Sequence, residues 1–221
     1  MSEHWPSQPA KLDEPENAEV GDEELPADEV AEEEELPPLR APDEQHAYGE
    51  LDIPDDVNVI EGEPDGARRG VAIVAARFNA EITNKLLDSA LAELDEVGVP
   101  RDAITVMPVP GAFELPLAAM ALAKTRRFAC VVALGCVVRG ETPHFEFIAS
   151  AVAHGLTTAA AATGIPMAFG VLTTNSIEEA LARAGDGPGN KGHEAAVAAI
   201  EMAEVVAQIT RQAAPEVVKG S

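Results

Sequence analysis

Residues 129–148 read Ala-Cys-Val-Val-Ala-Leu-Gly-Cys-Val-Val-Arg-Gly-Glu-Thr-Pro-His-Phe-Glu-Phe-Ile, and the change of texture within them decides the fold. Ala129 to Val138 is an uninterrupted apolar run, rich in valine, of the kind that forms a strand buried on both faces. A polar turn follows, and then a helix start. Thr142 is placed to act as N-cap, and Pro143 suits the first helical position because its missing N–H would be unpaired there anyway. His144 then falls in the first turn of a helix expected to run to Thr163. Strand, turn and helix in immediate succession make the repeating unit of a parallel sheet covered by helices.

The same unit recurs on both sides of this stretch. Val71 to Ala76 reads as a short buried strand, after which Ile82, Leu86, Leu87, Ala90, Leu91 and Leu94 mark one face of a helix closed by Gly98 and Pro100. Ala103 to Pro108 is a second strand and Phe113 to Lys124 a helix; Met167 to Thr173 is a further strand. It is followed by a short helix from Ser176 to Ala184, a glycine-rich loop, and a last helix to about Ala213 that Pro215 ends. The expected fold is α/β, a doubly wound parallel sheet apolar on both faces with helices on each side. Ligands of such sheets bind beyond the carboxyl ends of the strands. Marked residues gather at that end of all four strands: Arg77-Phe78-Asn79, Pro110-Gly111-Ala112-Phe113-Glu114, Arg139 to His144, and Thr173-Thr174-Asn175.

Charge is distributed very unevenly along the 221 residues. Up to Gly66 there are 23 Asp and Glu against 2 Lys and Arg, a balance of −21, so the rest of the chain carries only −3 of the net −24. An almost neutral domain therefore carries an acidic extension over residues 1–56. That extension is expected to be disordered, since its scattered apolar side chains cannot offset the entropy of ordering it. A partner-binding motif around Leu36 to Leu39 or Trp5 is the alternative use for it. No basic patch suggests nucleic acid, and no run of 18 apolar residues suggests a membrane span. Cys130 and Cys136 share one expected strand about 20 Å apart, too far to bond, and no His/Cys cluster suggests a metal. Two thiols that cannot form a disulfide with each other within that strand fit a reducing cytoplasm.

A helix start at Thr142–His144 offers free N–H groups and the positive end of the helix dipole to an anion, and a histidine there is placed to move protons near neutral pH. Phe78, between Arg77 and Asn79 in a tight turn, is poorly placed for a core; it suits stacking on a flat ring or packing on another chain. Glu114 just inside a helix start serves either the dipole or a ligand. The loop Gly185 to Gly192 is no Walker loop, because Lys191 is followed by glycine and the segment follows a helix. Arg183 and Lys191 read equally well as helix-end and loop charges or as anion ligands.

Taken together, Arg77-Phe78-Asn79, Pro110 to Glu114, Gly140 to His144, Phe169-Gly-Val-Leu-Thr-Thr174 and Gly189-Asn-Lys-Gly192 resemble the lumazine synthase family in its own order, over about Val57 to Ala213. The resemblance implies a flavodoxin-like subunit in residues 57–221 that condenses 5-amino-6-(D-ribitylamino)uracil with 3,4-dihydroxy-2-butanone 4-phosphate without a cofactor or metal. It implies that Phe78, Ala112, Phe113, Glu114, Cys136, Val137, Val138 and Phe169 hold the pyrimidine substrate. It implies Glu141, Thr142 and Arg183 as ligands of the phosphorylated ketone, Arg183 reaching over from an adjoining subunit, with His144 transferring protons and Lys191 as an auxiliary charge. It further implies homopentamers, with a sixty-subunit shell open to some members, association with riboflavin synthase, and an edge strand formed on a neighbour by Val57 to Ile60. The same fold could instead bind a lumazine or flavin, or build a shell, without turnover.

Overall fold

The computed structural model describes residues 51–54, 56–63, 65–66, 70–187 and 189–213. Residues 1–50, and with them most of the acidic extension, lie outside the described residues, as does Pro215. The elements follow the expected alternation: β1 (Val71–Ala76), α1 (Ala80–Glu96), β2 (Ile104–Val109), α2 (Leu115–Lys124), β3 (Cys130–Val138), α3 (His144–Thr163), β4 (Met167–Thr174), α4 (Ile177–Arg183) and α5 (Lys191–Ala213). Short 3₁₀ turns at Arg101–Ala103 and Ala112–Glu114 lead into β2 and α2.

All pairings are parallel and the sheet order is β2-β1-β3-β4, the flavodoxin-like arrangement. Side chains alternate between two cores. Val71, Ile73, Val132, Leu134 and Cys136 pack with α1, α4 and α5, among them Leu86, Ala180 and Ile200. Ala72, Val74, Val131 and Ala133 pack on the other face with Leu115 and Ala119 of α2 and Val152 and Leu156 of α3. Strands buried on both faces need apolar residues at every position, and β1 is buried throughout its length. β2 departs from that expectation. It lies at the sheet's edge, its central residues are exposed, and Pro108 occupies a position where a central strand would need an N–H.

Other boundaries moved for local reasons. Thr142 does not cap α3: Pro143 is the N-cap, with no side-chain cap, and the first turn closes when the Glu146 N–H donates to the Pro143 carbonyl at 3.2 Å, one residue later than a Thr142 cap requires. Ser176 does cap α4, its Oγ accepting from the Glu179 N–H at 3.2 Å. The helix expected from Phe113 begins instead as the 3₁₀ turn. Val57 to Ile60 belong to no strand of this chain, and Val57, Val59 and Ile60 are exposed. Beyond them the chain is tied down: Gln208 Nε2 donates to the Glu61 carbonyl at 2.9 Å and the Gly66 N–H to the Val97 carbonyl at 2.8 Å. Among the described residues no helix is long and apolar enough to cross a membrane.

The glycine-rich loop is organised by a buried amide and contacts the scaffold. Asn190 Nδ2 donates to the Gly185 carbonyl at 2.9 Å, and its Oδ1 accepts from the Gly192 N–H at 2.7 Å. Gly192 then lets α5 start directly against α1, where a Cβ would stand 2.0 Å from the Leu86 carbonyl oxygen. Nearby, His193 Nδ1 lies 3.0 Å from the buried Glu93 carboxylate, a link between α5 and α1 that no sequence spacing announced. Because the atom in the way at Gly192 is backbone, Gly192→Ala is expected to destabilise the protein by about 1–3 kcal/mol, as overpacked cores do. A denaturation midpoint equal to the parent's would refute the close approach.

Candidate active site

At the carboxyl end of the sheet a cavity of about 590 Å³ opens between β1, the β2–α2 turn, β3 and the start of α3. Phe78, Asn79, Gly111, Ala112, Phe113, Glu114, Cys136, Val137, Val138, His144 and Ile148 line it, and the volume suits a small organic ligand.

Each wall has a local cause. Asn79 is held at φ 55°, a left-handed conformation that asparagine tolerates better than most residues, and its Nδ2 donates to the Cys136 carbonyl at 2.9 Å. The preceding Phe78 is thereby turned out of the core and left 73% exposed at the cleft's rim. Phe113, on the β2–α2 turn that also lines the cavity, is 59% exposed. The turn carrying Phe113 is closed by a reciprocal pair: the Gly111 N–H donates to Glu114 Oε2 at 2.9 Å, and the Glu114 N–H to the Gly111 carbonyl at 3.3 Å. Glu114 thus does structural work at the cleft itself. The floor is the end of β3, where Val137 and Val138 emerge from the core half-buried. His144, the first residue of α3, is exposed at the rim, and Ile148 lies one turn further on the same helix face.

Eight of the expected site residues therefore meet: Phe78, Ala112, Phe113, Glu114, Cys136, Val137, Val138 and His144. Glu141 and Thr142 are exposed in the turn before α3 and do not line the cavity. Phe169 sits in the middle of β4, paired in register with Ala133, five residues before the strand's end at Thr174. Arg183 lies at the end of α4, its Nη1 donating to the Glu179 carbonyl at 3.0 Å, and Lys191 pairs with Glu194 at 2.7 Å. Neither cation lines the cavity. Asn79, Gly111 and Ile148 were not among the expected ligands; the i, i+4 spacing of His144 and Ile148 was readable, the Asn79 bond to β3 was not. Among the described residues no group of three or more His, Cys, Asp or Glu is placed to hold a metal.

The family whose pattern matches residues 69–207 is described as 6,7-dimethyl-8-ribityllumazine synthase. The chain is 53% identical over 154 residues to the 6,7-dimethyl-8-ribityllumazine synthase of Yersinia pestis (strain Pestoides F), covering 69% of this chain and 99% of that one. The figures are the same for the protein of that name from Yersinia pseudotuberculosis serotype O:1b (strain IP 31758). This chain belongs to the 6,7-dimethyl-8-ribityllumazine synthase family. The family pattern begins only at residue 69, so the acidic extension precedes it. Within this family member the cleft residues fall inside the matched span.

Cys136 is the one thiol in the cleft wall, and burial pushes its pKa up to about 11. At pH 8 only about one molecule in a thousand would carry the thiolate, the form that reacts. Iodoacetamide at pH 8 is therefore expected to alkylate Cys136 in the folded protein at least about a hundredfold more slowly than in the urea-unfolded chain. Peptide mass spectrometry reads this; equal rates in the two states would overturn the buried-thiol assignment.

Proposed function

We propose that this protein forms 6,7-dimethyl-8-ribityllumazine by condensing 5-amino-6-(D-ribitylamino)uracil with 3,4-dihydroxy-2-butanone 4-phosphate, releasing water and phosphate, in the penultimate step of riboflavin synthesis. The observation that carries it is a carbon-walled cleft lined by two exposed phenylalanines and a histidine, in a chain of this family. Phe78 stacks on the pyrimidine ring, as exposed aromatic faces do with flat heterocycles. Phe113, Ala112 and the β3 edge from Cys136 to Val138 enclose the ring and the ribityl chain, and Glu114, fixed by Gly111, presents its carboxylate beside them.

The chemistry needs protons moved in turn. The uracil's 5-amino group attacks the ketone and a first water leaves to give an imine; phosphate is eliminated, and the enol left behind tautomerises to a ketone; the ribityl-bearing nitrogen then attacks that carbonyl carbon, whose oxygen leaves as a second water to close the ring. His144 is the group that accepts and returns protons at these steps. Both substrates are reactive already, so much of the rate comes from holding them together. The exposed Glu141 and Thr142 meet the phosphorylated ketone at the start of α3, where free N–H groups favour an anion.

Assembly belongs to the same proposal. Arg183, with Lys191 as an auxiliary charge, is off the cavity of its own chain, which supports phosphate binding by an adjoining copy. Phe169, 45% exposed, is likewise offered outward, and Leu117 and Phe147 are exposed apolar side chains of the sort that another chain covers. The assembly is a homopentamer in which each cleft is completed by a neighbour, with Val57 to Ile60 reaching across as an added strand. The short loop Gly185 to Gly192 suits closure into a sixty-subunit shell. Riboflavin synthase, which consumes the product, is the associated enzyme, and the cytoplasm is the compartment that fits two thiols outside any disulfide. The domain spans residues 57–221, with residues 1–56 as an acidic extension.

Mixing the purified protein with both substrates should yield fluorescent lumazine; binding of added lumazine without its formation would instead favour a carrier of the same fold. His144→Ala is expected to lower kcat about 10- to 100-fold without abolishing turnover, the loss of one proton-transfer group. Arg183→Ala is expected to raise KM for the phosphorylated ketone about tenfold or more, the loss of a charge-assisted bond, with little change in kcat. Parental kinetics in both variants would sink the site assignment.

A further inference from the structure

Arg139 begins the turn between β3 and α3, and its groups reach in four directions. Its N–H donates to the Thr174 carbonyl at 2.9 Å, carrying the β3–β4 ladder one residue past the end of the strands. Its Nε donates to Asn175 Oδ1 at 3.1 Å, its Nη1 donates to the Glu146 carboxylate, and its guanidinium lies over the Phe145 ring, 4.5 Å from the centroid. Phe145 and Glu146 are the two residues that follow His144. The side chain thus spans the turn that its own backbone starts and grips the first turn of α3 from beside the sheet. Asn175 passes the connection on, its N–H donating to Glu179 Oε2 at 2.9 Å in the first turn of α4.

We infer that Arg139 is a positioning residue of the active site: it fixes the first turn of α3, and so His144, against the carboxyl ends of β3 and β4. The inference rests on the catalytic assignment of His144. The geometry requires arginine in particular. A planar fork can bond Glu146 and Asn175 at once while its face stacks on Phe145, whereas a lysine ammonium is a single point charge. α3 has no side-chain N-cap, so nothing of that kind holds its start. The Glu146 carboxyl is held below the usual carboxylate range by its own backbone N–H and then by Arg139, which keeps the pair charged. Both partners are about half exposed, and such pairs add little to global stability, so the consequence of losing Arg139 is local.

Four full-length variants, Arg139→Ala, Arg139→Lys, His144→Ala and the double Arg139→Ala/His144→Ala, test this in steady-state kinetics. Arg139→Ala is expected to lower kcat about tenfold, the scale of a small misplacement of a catalytic group, with KM for the pyrimidine within about twofold. Arg139→Lys recovers only a minor part. The double variant is no slower than His144→Ala alone, because nothing remains to be positioned. Hydrogen exchange of Arg139→Ala rises at the amides of residues 144–148 and not in β3 or β4. The inference is overturned by a parental kcat in Arg139→Ala beside a slow His144→Ala, by multiplying losses in the double variant, by full recovery in Arg139→Lys, or by faster exchange across the whole sheet. A parental rate in His144→Ala would remove the catalytic assignment, and the inference with it.

Discussion

β3 is paired on both sides, but its neighbours do not run equally far. Its register with β4 extends to Val138↔Thr174, while its register with β1 stops at Ala75↔Leu134. Past that point β1 offers the part-buried Cys136 carbonyl no backbone partner, and an acceptor withdrawn from water without one is costly. The side-chain amide of Asn79 supplies the missing donor. To reach it, Asn79 adopts a left-handed backbone, and its own carbonyl then accepts from the N–H groups of Ile82 and Thr83 at 2.9 and 3.0 Å, which starts α1. One asparagine therefore ends a ladder, opens a helix and turns Phe78 outward.

The cleft is a consequence of that mismatch in strand length. Where β1 has ended and β3 continues, the sheet has a step, and the side chains of Val137 and Val138 emerge from the core onto it. The reciprocal Gly111–Glu114 pair closes the turn that brings Phe113 to the same cavity. The remaining sheet is committed to packing: α1 and α5 are drawn together at Gly192, and the two cores occupy alternate residues of the same strands. A rigid, doubly covered sheet is what allows a site made of strand ends and short turns to hold its shape.

Most of this was legible where the signal is periodic. β1 begins and ends at Val71 and Ala76 as its apolar run predicts, and β3, α3, β4 and α5 agree within a residue where their bounds were read, because apolar runs and helical faces report burial directly. The carboxyl-end rule then pointed to the turns after β1, β2 and β3, whose residues line the cavity, and also to Thr173-Thr174-Asn175 after β4, which do not. What did not read out were interactions between residues far apart in sequence. Asn79 and Cys136 are 57 positions apart, Arg139 and Asn175 are 36, and nothing in either neighbourhood indicates the other. β2 misled for a different reason: its sequence is as apolar as that of a central strand, but an edge strand shares the composition without the burial. Thr142 failed as a cap because the proline after it took the N-cap position itself.

The two halves of the proposed reaction ask for different things, and the chain supplies them unequally. A flat heterocycle needs carbon surface and a few fixed polar groups, and one subunit provides those at strand ends. A phosphate ester needs positive charge, and the cation at the critical turn is already committed: Arg139 is bonded to Glu146 and Asn175. Redirecting it to the substrate would release the start of α3, the element that carries His144. The proposed reaction therefore calls for a separate cation, and Arg183, proposed for that role, lies off the cavity in its own chain and away from the turn that Arg139 holds. On the proposed assignment, dividing the two duties between two arginines would keep His144 fixed while the charged substrate comes and goes, and would tie the phosphate half of the site to the proposed assembly of subunits.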